Sequence, residues 1–143
     1  MAKRTPPNPQ RRSPLALVAA IAAIAVVAVV FATTRAGGGA LTTVSVRDLQ
    51  SALAQSPAPT LIDVREPFEY ADGHVEGALL MPLANVVQLA SDLPKDEPVY
   101  VFCRTGNRSL QASQALVAAG FEDVRNVDGG IVAWTSAGLP VVR

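Results

Sequence analysis

The chain has 143 residues, half of them apolar, and a formal net charge of zero that hides an uneven distribution. Residues 1 to 35 carry five Lys or Arg and no acid, whereas residues 36 to 143 carry seven Lys or Arg against twelve Asp or Glu. A mildly acidic domain without basic clusters excludes a nucleic-acid partner. One cysteine and one histidine exclude an internal disulfide and argue against a metal site.

Residues 15 to 34 are predicted to form a transmembrane helix. The first eighteen of them, LALVAAIAAIAVVAVVFA, contain no charged or polar side chain. Such a helix rises about 27 Å, close to the hydrocarbon thickness of a bilayer. Residues 1 to 14, which carry four cations, are then a basic tail in the cytoplasm. The excess of cations on that side places the rest of the chain outside the cytoplasm.

A cleaved signal peptide is the alternative interpretation of this segment, because VFA, ending at Ala32, resembles a small-residue cleavage site. Signal peptides have shorter apolar regions, about 7 to 15 residues. We therefore expect a single-pass anchor in the inner membrane, with release into the periplasm after cleavage as the alternative. Residues 35 to 41, RAGGGAL, are predicted to be a flexible linker, and residues 42 to 143 a folded domain.

The domain alternates short β-rich runs with helical patterns. The strands are predicted at residues 42–46, 60–64, 78–82, 98–103 and 123–127. A polar helical turn is predicted at 65–73 and helices at 46–55, 83–92, 108–119 and 129–138. Strands separated by helices indicate an α/β domain with a mainly parallel sheet. Near-continuous apolar runs such as VYVF are typical of strands that are covered on both faces.

Cys103 stands where the fourth predicted strand ends, in VYVFCRTGNRS. In α/β domains chemistry collects beyond the carboxyl ends of strands. Gly106 permits a tight turn in which successive N–H groups converge, and the following helix adds its free N-terminal amides. With the cations of Arg104 and Arg108, these features predict a lowered thiol pKa. The alternative is that Cys103 only packs at the end of a buried strand.

Three blocks resemble the rhodanese (sulfurtransferase) domain family and together cover residues 42 to 143. CRTGNRS after VYVF is similar to the active-site loop of that family. LIDVREPFEYADGHVEGALLMP, residues 61 to 82, is similar to its amino-terminal signature. GFEDVRNVDGGIVAWTSAGLPV, residues 120 to 141, resembles its carboxyl-terminal signature.

The resemblance implies a five-stranded parallel sheet flanked by helices and sulfurtransferase activity, which the predicted transmembrane helix would anchor to the membrane. Cys103 would take sulfur from a small anionic donor such as thiosulfate and pass it, as a persulfide, to cyanide or a thiol. No cofactor or metal is implied, and a membrane protein is a candidate partner. The residues whose backbone amides would bind the persulfide are Arg104, Thr105, Gly106, Asn107 and Arg108. Arg104 and Arg108 would also attract the donor.

Two other functions remain open at this point. One is a non-enzymatic binding or sulfur-carrier module at the membrane. The other is a phosphatase of the cell-cycle dual-specificity type, which shares the fold. Phosphatases place five residues between cysteine and arginine, whereas four separate Cys103 from Arg108. The shorter loop predicts a pocket for one sulfur atom, so a phosphatase is not expected.

The remaining polar residues of the signatures receive structural predictions. Asp63 and Arg65 are expected to form an ion pair at the end of the second strand, with a place for Arg65 at the pocket rim as the lesser alternative. His74 is predicted to be a hydrogen-bonded turn residue and Trp134 a core residue. Three acids are expected to be solvated, with a role in tuning the pocket rim as the alternative: Glu66, Glu69 and Glu76.

Overall fold

The computed structural model describes residues 39 to 143. The predicted basic tail, the predicted transmembrane helix and most of the predicted linker lie outside the described residues. Between residues 39 and 143, no helix combines the length and the apolar character needed to cross a bilayer.

Five parallel strands form one sheet, as the sequence predicts. The strands are β1 (Ala40–Val44), β2 (Thr60–Asp63), β3 (Leu79–Leu80), β4 (Val99–Phe102) and β5 (Asp123–Val127). Their order across the sheet is β1-β5-β4-β2-β3, and every neighbouring pair is parallel. β4 is therefore the central strand, and the chain that leaves its carboxyl end lies in the middle of that edge of the sheet.

The helices pack against both faces of the sheet. They are α1 (Val46–Leu53), α2 (Pro67–Asp72), α3 (Val86–Leu89), α4 (Asn107–Ala118) and α5 (Gly130–Ser136), with a 3-10 turn at Leu83–Asn85. Because side chains alternate along a strand, β4 contributes to two apolar clusters. Phe102 packs in the cluster that contains Leu49 of α1 and Trp134 of α5. Val101 packs in the cluster that contains Leu116 of α4.

The first strand begins inside the predicted linker, so the expected boundary at residue 42 is wrong. Ala40 and Leu41 belong to β1, with Ala40 in register with Asp123 of β5. The N–H of Ala40 also donates to Glu122 O at 2.7 Å. Pairing with a strand more than eighty residues away along the chain decides this boundary, and local composition does not reveal it.

The predicted strand at 78–82 and helix at 83–92 are both shorter in the structure. Only Leu79 and Leu80 pair with β2, and the helix is reduced to the 3-10 turn and the single turn of α3. Neither the 3-10 turn nor α3 has a side-chain hydrogen bond that caps its N-terminus. The chain turns again at Leu93, whose N–H donates to Ala90 O, because it must return to begin β4.

Candidate active site

Cys103 follows β4 directly and lies beneath the loop that leads to α4. Its side chain belongs to the second apolar cluster, and only 1% of the residue is exposed. The backbone N–H of Gly106 donates a hydrogen bond to Cys103 Sγ, with an N–S distance of 3.1 Å. The loop therefore curls back over the sulfur, as a nucleophile cradled by backbone amides requires.

The N-terminus of α5 sets the orientation of this loop. The N–H of Ile131 donates to Cys103 O at 2.9 Å, and the N–H of Val132 donates to Arg104 O at 3.2 Å. In a planar trans peptide the N–H points away from the C=O of the same unit. The amides that follow these two carbonyls, those of Arg104 and Thr105, are consequently turned away from α5.

Two glycines make this arrangement sterically possible. Gly106 has a φ of +100°, and a Cβ there would lie 3.1 Å from Asp128 Oδ1. At Gly130, a Cβ would overlap Cys103 O and lie 2.6 Å from the carbonyl carbon of Arg104. Gly130 belongs to the carboxyl-terminal signature in the sequence, but its contact with the loop is visible only in the structure.

The thiol of Cys103 has a lowered pKa. Burial raises the pKa of this thiol, but hydrogen bonds from the side chain and backbone of Ser109 and from the backbones of Gly106 and Thr105 lower it, and their sum prevails. The direction agrees with the sequence prediction. Among these groups, the N–H of Gly106 is the one that lies in hydrogen-bonding geometry with Cys103 Sγ.

Arg108 is not a free cation, and Glu69 is not solvated, in contrast to the sequence prediction. Nη1 and Nη2 of Arg108 donate to the two carboxylate oxygens of Glu69 at 2.7 and 2.8 Å. The hydrogen bond from Arg108 lowers the pKa of Glu69 to about 2, and the same bond raises the pKa of Arg108. The pairing partner lies 39 positions away, beyond the reach of local pattern.

Arg104 is exposed and takes part in no ion pair among the described residues. It lines an open groove of about 440 Å³ beside the loop, together with Arg65 and Phe68. Phe68 is 70% exposed, and the acids Glu69 and Asp72 also line the groove, so cationic, acidic and apolar side chains border it together. Asn107 is exposed as the first residue of α4.

Asp63 and Arg65 form the predicted ion pair. Arg65 Nη2 lies 2.6 Å from Asp63 Oδ2, and both side chains are buried. Arg65 also donates to the carbonyl oxygens of Glu69 and Gly73, which ties α2 to the end of β2. Arg65 lines the groove as well.

His74 and Trp134 have the predicted structural roles. His74 Nδ1 lies 3.1 Å from Tyr70 O, its ring stacks on Tyr70, and its backbone bridges to Val142. The indole of Trp134 packs edge-on against Phe102 and donates to Pro140 O.

Sequence reasoning missed two polar residues beside the loop, Ser109 and Asn126. Both are buried, and Ser109 Oγ donates to Asn126 Oδ1 at 2.6 Å. A signal exists for each. Ser109 begins the buried helical face that continues through Ala112 and Leu116, and Asn126 lies two residues after the buried Val124, on the same face of β5. Within residues 39 to 143, no cluster of three or more His, Cys, Asp or Glu is placed to bind a metal.

A thiol of lowered pKa, in a loop that follows the central strand of a parallel sheet, marks the candidate active site of this α/β domain. The family model for the rhodanese-like domain matches residues 45 to 137. The chain belongs to the rhodanese-like domain family.

Relatives and solved structures agree with this assignment. A sulfurtransferase of Allochromatium vinosum is 38% identical over 69% of this chain and 92% of its own. The thiosulfate sulfurtransferase GlpE of Vibrio cholerae is 37% identical over 68% of this chain and 92% of its own. The chain spans 56% of the uncharacterised protein slr1261 of Synechocystis, at 39% identity over 71% of this chain. The crystal structure of Alr3790 from Anabaena has a TM-score of 0.65 at 38% identity, over 69% of this chain and 81% of that chain.

Proposed function

We propose that the protein is a sulfurtransferase in which Cys103 carries sulfane sulfur as a persulfide. The observation that supports this most directly is the hydrogen bond from the Gly106 N–H to Cys103 Sγ at 3.1 Å. Together with the lowered thiol pKa, it makes the thiolate, which is the nucleophilic form, more available. Relatives named as sulfurtransferases support the same activity.

The proposed reaction has two displacements. The Cys103 thiolate attacks the outer sulfur of thiosulfate, the S–S bond of the donor breaks, and sulfite leaves with the electron pair. The resulting persulfide anion is stabilised by the loop amides, as an oxyanion would be. Cyanide or a thiol then attacks the outer sulfur of Cys103, and the electron pair of the S–S bond returns to Sγ.

Thiosulfate is the donor that we propose. A relative of similar length carries thiosulfate sulfurtransferase in its name, and the donor is a dianion that an exposed cation attracts. Arg104 supplies that cation at the groove, whereas Arg108 is neutralised by Glu69. Cyanide and small thiols are the proposed acceptors.

Mass spectrometry of the full chain in detergent tests the proposal. After treatment with thiosulfate we expect the mass of one added sulfur atom, located on Cys103 and removed by cyanide. Cys103→Ser is the matched control and should gain nothing. A wild-type chain that stays unmodified with thiosulfate and with other sulfane donors would instead favour the non-enzymatic binding module.

We also propose that residues 15 to 34 anchor the domain in the inner membrane, with residues 1 to 14 in the cytoplasm. The uninterrupted apolar run and the four preceding cations support this orientation. A periplasm-dependent reporter fused after Arg143 should be active, and the fusion should sediment with membranes. Activity only in the cytoplasm contradicts the orientation, and a soluble periplasmic fusion indicates cleavage near Ala32. A membrane protein partner remains part of the proposal.

A further inference from the structure

The Glu69–Arg108 ion pair lies beside the groove that borders the Cys103 loop. Glu69 lines that groove together with Arg104. Arg108 follows the loop in the first turn of α4, and its Nη1 and Nη2 donate to the two carboxylate oxygens of Glu69 at 2.7 and 2.8 Å. The side chains of Arg108 and Glu69 are 32% and 16% exposed. A dissolved ion that enters the groove can therefore reach the pair.

Glu69 binds Arg108 in the geometry that an oxyanion uses. A guanidinium group directs two parallel N–H donors at two oxygens of a carboxylate or a phosphate. The sulfonate end of thiosulfate, and the sulfite that leaves it, present pairs of oxygens in the same way. The hydrogen bond from Arg108 lowers the pKa of Glu69 to about 2, so this carboxylate is ionised at neutral pH. It occupies the donors of Arg108 that an anion in the groove would otherwise use.

The arginines around the groove differ in whether an acid binds them. Arg65 is bound to the Asp63 carboxylate, and both side chains are buried. Arg104 is exposed and forms no ion pair among residues 39 to 143. Asp72 is a further acid on the groove wall. Two of these three arginines are therefore engaged by acids, and for Arg108 that acid is Glu69.

We propose that Glu69 competes with oxyanions for Arg108 and thereby limits how tightly the site binds its donor. This inference rests on the proposed function, in which an anionic donor binds beside Cys103. While Glu69 holds Arg108, the donor is attracted by Arg104 alone. Sulfite, which leaves with the electron pair of the donor S–S bond, likewise meets no second guanidinium that would retain it. Glu69 acts only through Arg108, and its effect is to weaken the binding of donor and product together.

Protection of Cys103 against iodoacetamide by inorganic sulfate tests this proposal, with the full chain in detergent and the ionic strength held constant with chloride. Sulfate has the shape and charge of thiosulfate but no sulfane sulfur to transfer. Cys103 is the only cysteine, so the alkylation rate reports an ion bound beside that thiol. In Glu69→Gln the guanidinium of Arg108 is released, and we expect half-maximal protection at about a three- to tenfold lower sulfate concentration than in wild type.

Three variants separate the release of Arg108 from a general change in charge. Glu69→Gln combined with Arg108→Gln should lose the gain, because no guanidinium is released. Glu122→Gln removes the same charge from an exposed residue before β5, at the opposite edge of the sheet, and should keep the wild-type value. Asp72→Asn removes another acid of the groove without releasing Arg108, so its gain should be smaller than that of Glu69→Gln.

Glu69→Ala provides a second variant if glutamine itself binds Arg108, and circular dichroism verifies that every variant is folded. A sulfate dependence equal to that of wild type in both Glu69 variants would overturn the proposal, as would a gain that persists without Arg108 or that Asp72→Asn reproduces in full. Alkylation needs no sulfur donor. A chain that forms the Cys103 persulfide but shows no effect of Glu69 would therefore contradict this inference and leave the proposed sulfur transfer intact.

Discussion

Glu69 on α2 and Arg108 in the first turn of α4 form a two-pronged ion pair, with N–O distances of 2.7 and 2.8 Å. The pair ties the segment after β2 to the helix that follows the Cys103 loop. One of the two arginines of the loop motif therefore serves as a structural link. Arg104, the other, is exposed and takes part in no ion pair between residues 39 and 143.

The Glu69–Arg108 pair should make stability depend on pH in the acid range. The pKa of Glu69 is about 2, below its ordinary value of 4.5, so the carboxylate stabilises the fold fully above about pH 4.5. As the pH falls from 4.5 towards 2, protonation removes that stabilisation. We expect a loss of roughly 1 kcal/mol, less than the full shift implies, because solvent screens the partly exposed pair.

Urea unfolding at a series of pH values measures this effect. Glu69→Gln should lower the free energy of unfolding near pH 7 and flatten its pH dependence between 4.5 and 2. Glu76→Gln, at an exposed turn position, is the matched control and should keep the wild-type slope. Equal slopes in wild type and Glu69→Gln would show that the ion pair contributes nothing.

Arg104 should determine how strongly an anionic donor binds. Because Arg104 is exposed and unpaired among the described residues, we expect Arg104→Gln to raise the KM for thiosulfate about three- to tenfold and to weaken its dependence on salt. The rate at which cyanide discharges the persulfide should change little. Arg47→Gln, on the exposed face of α1, serves as the control. An unaltered KM in Arg104→Gln would show that Arg104 does not bind the donor.

Gly130→Ala should disturb the Cys103 loop, because Gly130 lies against the backbone of Cys103 and Arg104. A Cβ at this position overlaps Cys103 O and lies 2.6 Å from the Arg104 carbonyl carbon, so α5 and the loop must separate. We expect a loss of stability of about 2–4 kcal/mol and a raised thiol pKa, measured by urea unfolding and by alkylation.

Gly138→Ala is the matched control for Gly130→Ala. Gly138 has a φ of +73°, but nothing lies within 4 Å of a Cβ there. It should show only the cost of the left-handed backbone, about 1 kcal/mol, with the thiol unchanged. Similar thiol pKa values in the two variants would mean that contact with α5 does not orient the loop.

The contributions of Asp63 and Arg65 to the free energy of unfolding should depend on each other, because the two side chains form a buried ion pair. Arg65→Met leaves a buried carboxylate without its partner and should cost about 3–5 kcal/mol. Asp63→Asn combined with Arg65→Met should cost clearly less than the two single changes added together, as urea unfolding of all three variants would show. Strict additivity would contradict direct coupling.

Most of the fold could be predicted because its signals are local. Alternation of apolar runs with helical patterns locates all five strands. The errors fall where pairing with a distant segment decides the boundary, as at Ala40.

The site was predictable only in part. The position of Cys103 after a strand and the glycine in its loop are visible in the sequence, because a strand ending and a turn are both local features. The sequence does not reveal that Glu69 pairs with Arg108. It also does not reveal that Gly130 lies against the backbone of the loop. Each depends on a contact between segments that the sheet brings together.

The sequence by itself determined an α/β domain with one cysteine in a loop able to expose its amides, since periodicity and glycine placement act over a few residues. The tertiary structure decided which loop arginine is paired with an acid within residues 39 to 143 and which polar side chains are buried beside the loop. Electrostatic and hydrogen-bonding interactions act over a few ångströms in space, and Glu69 and Asn126 come that close to the loop only once the strands have paired.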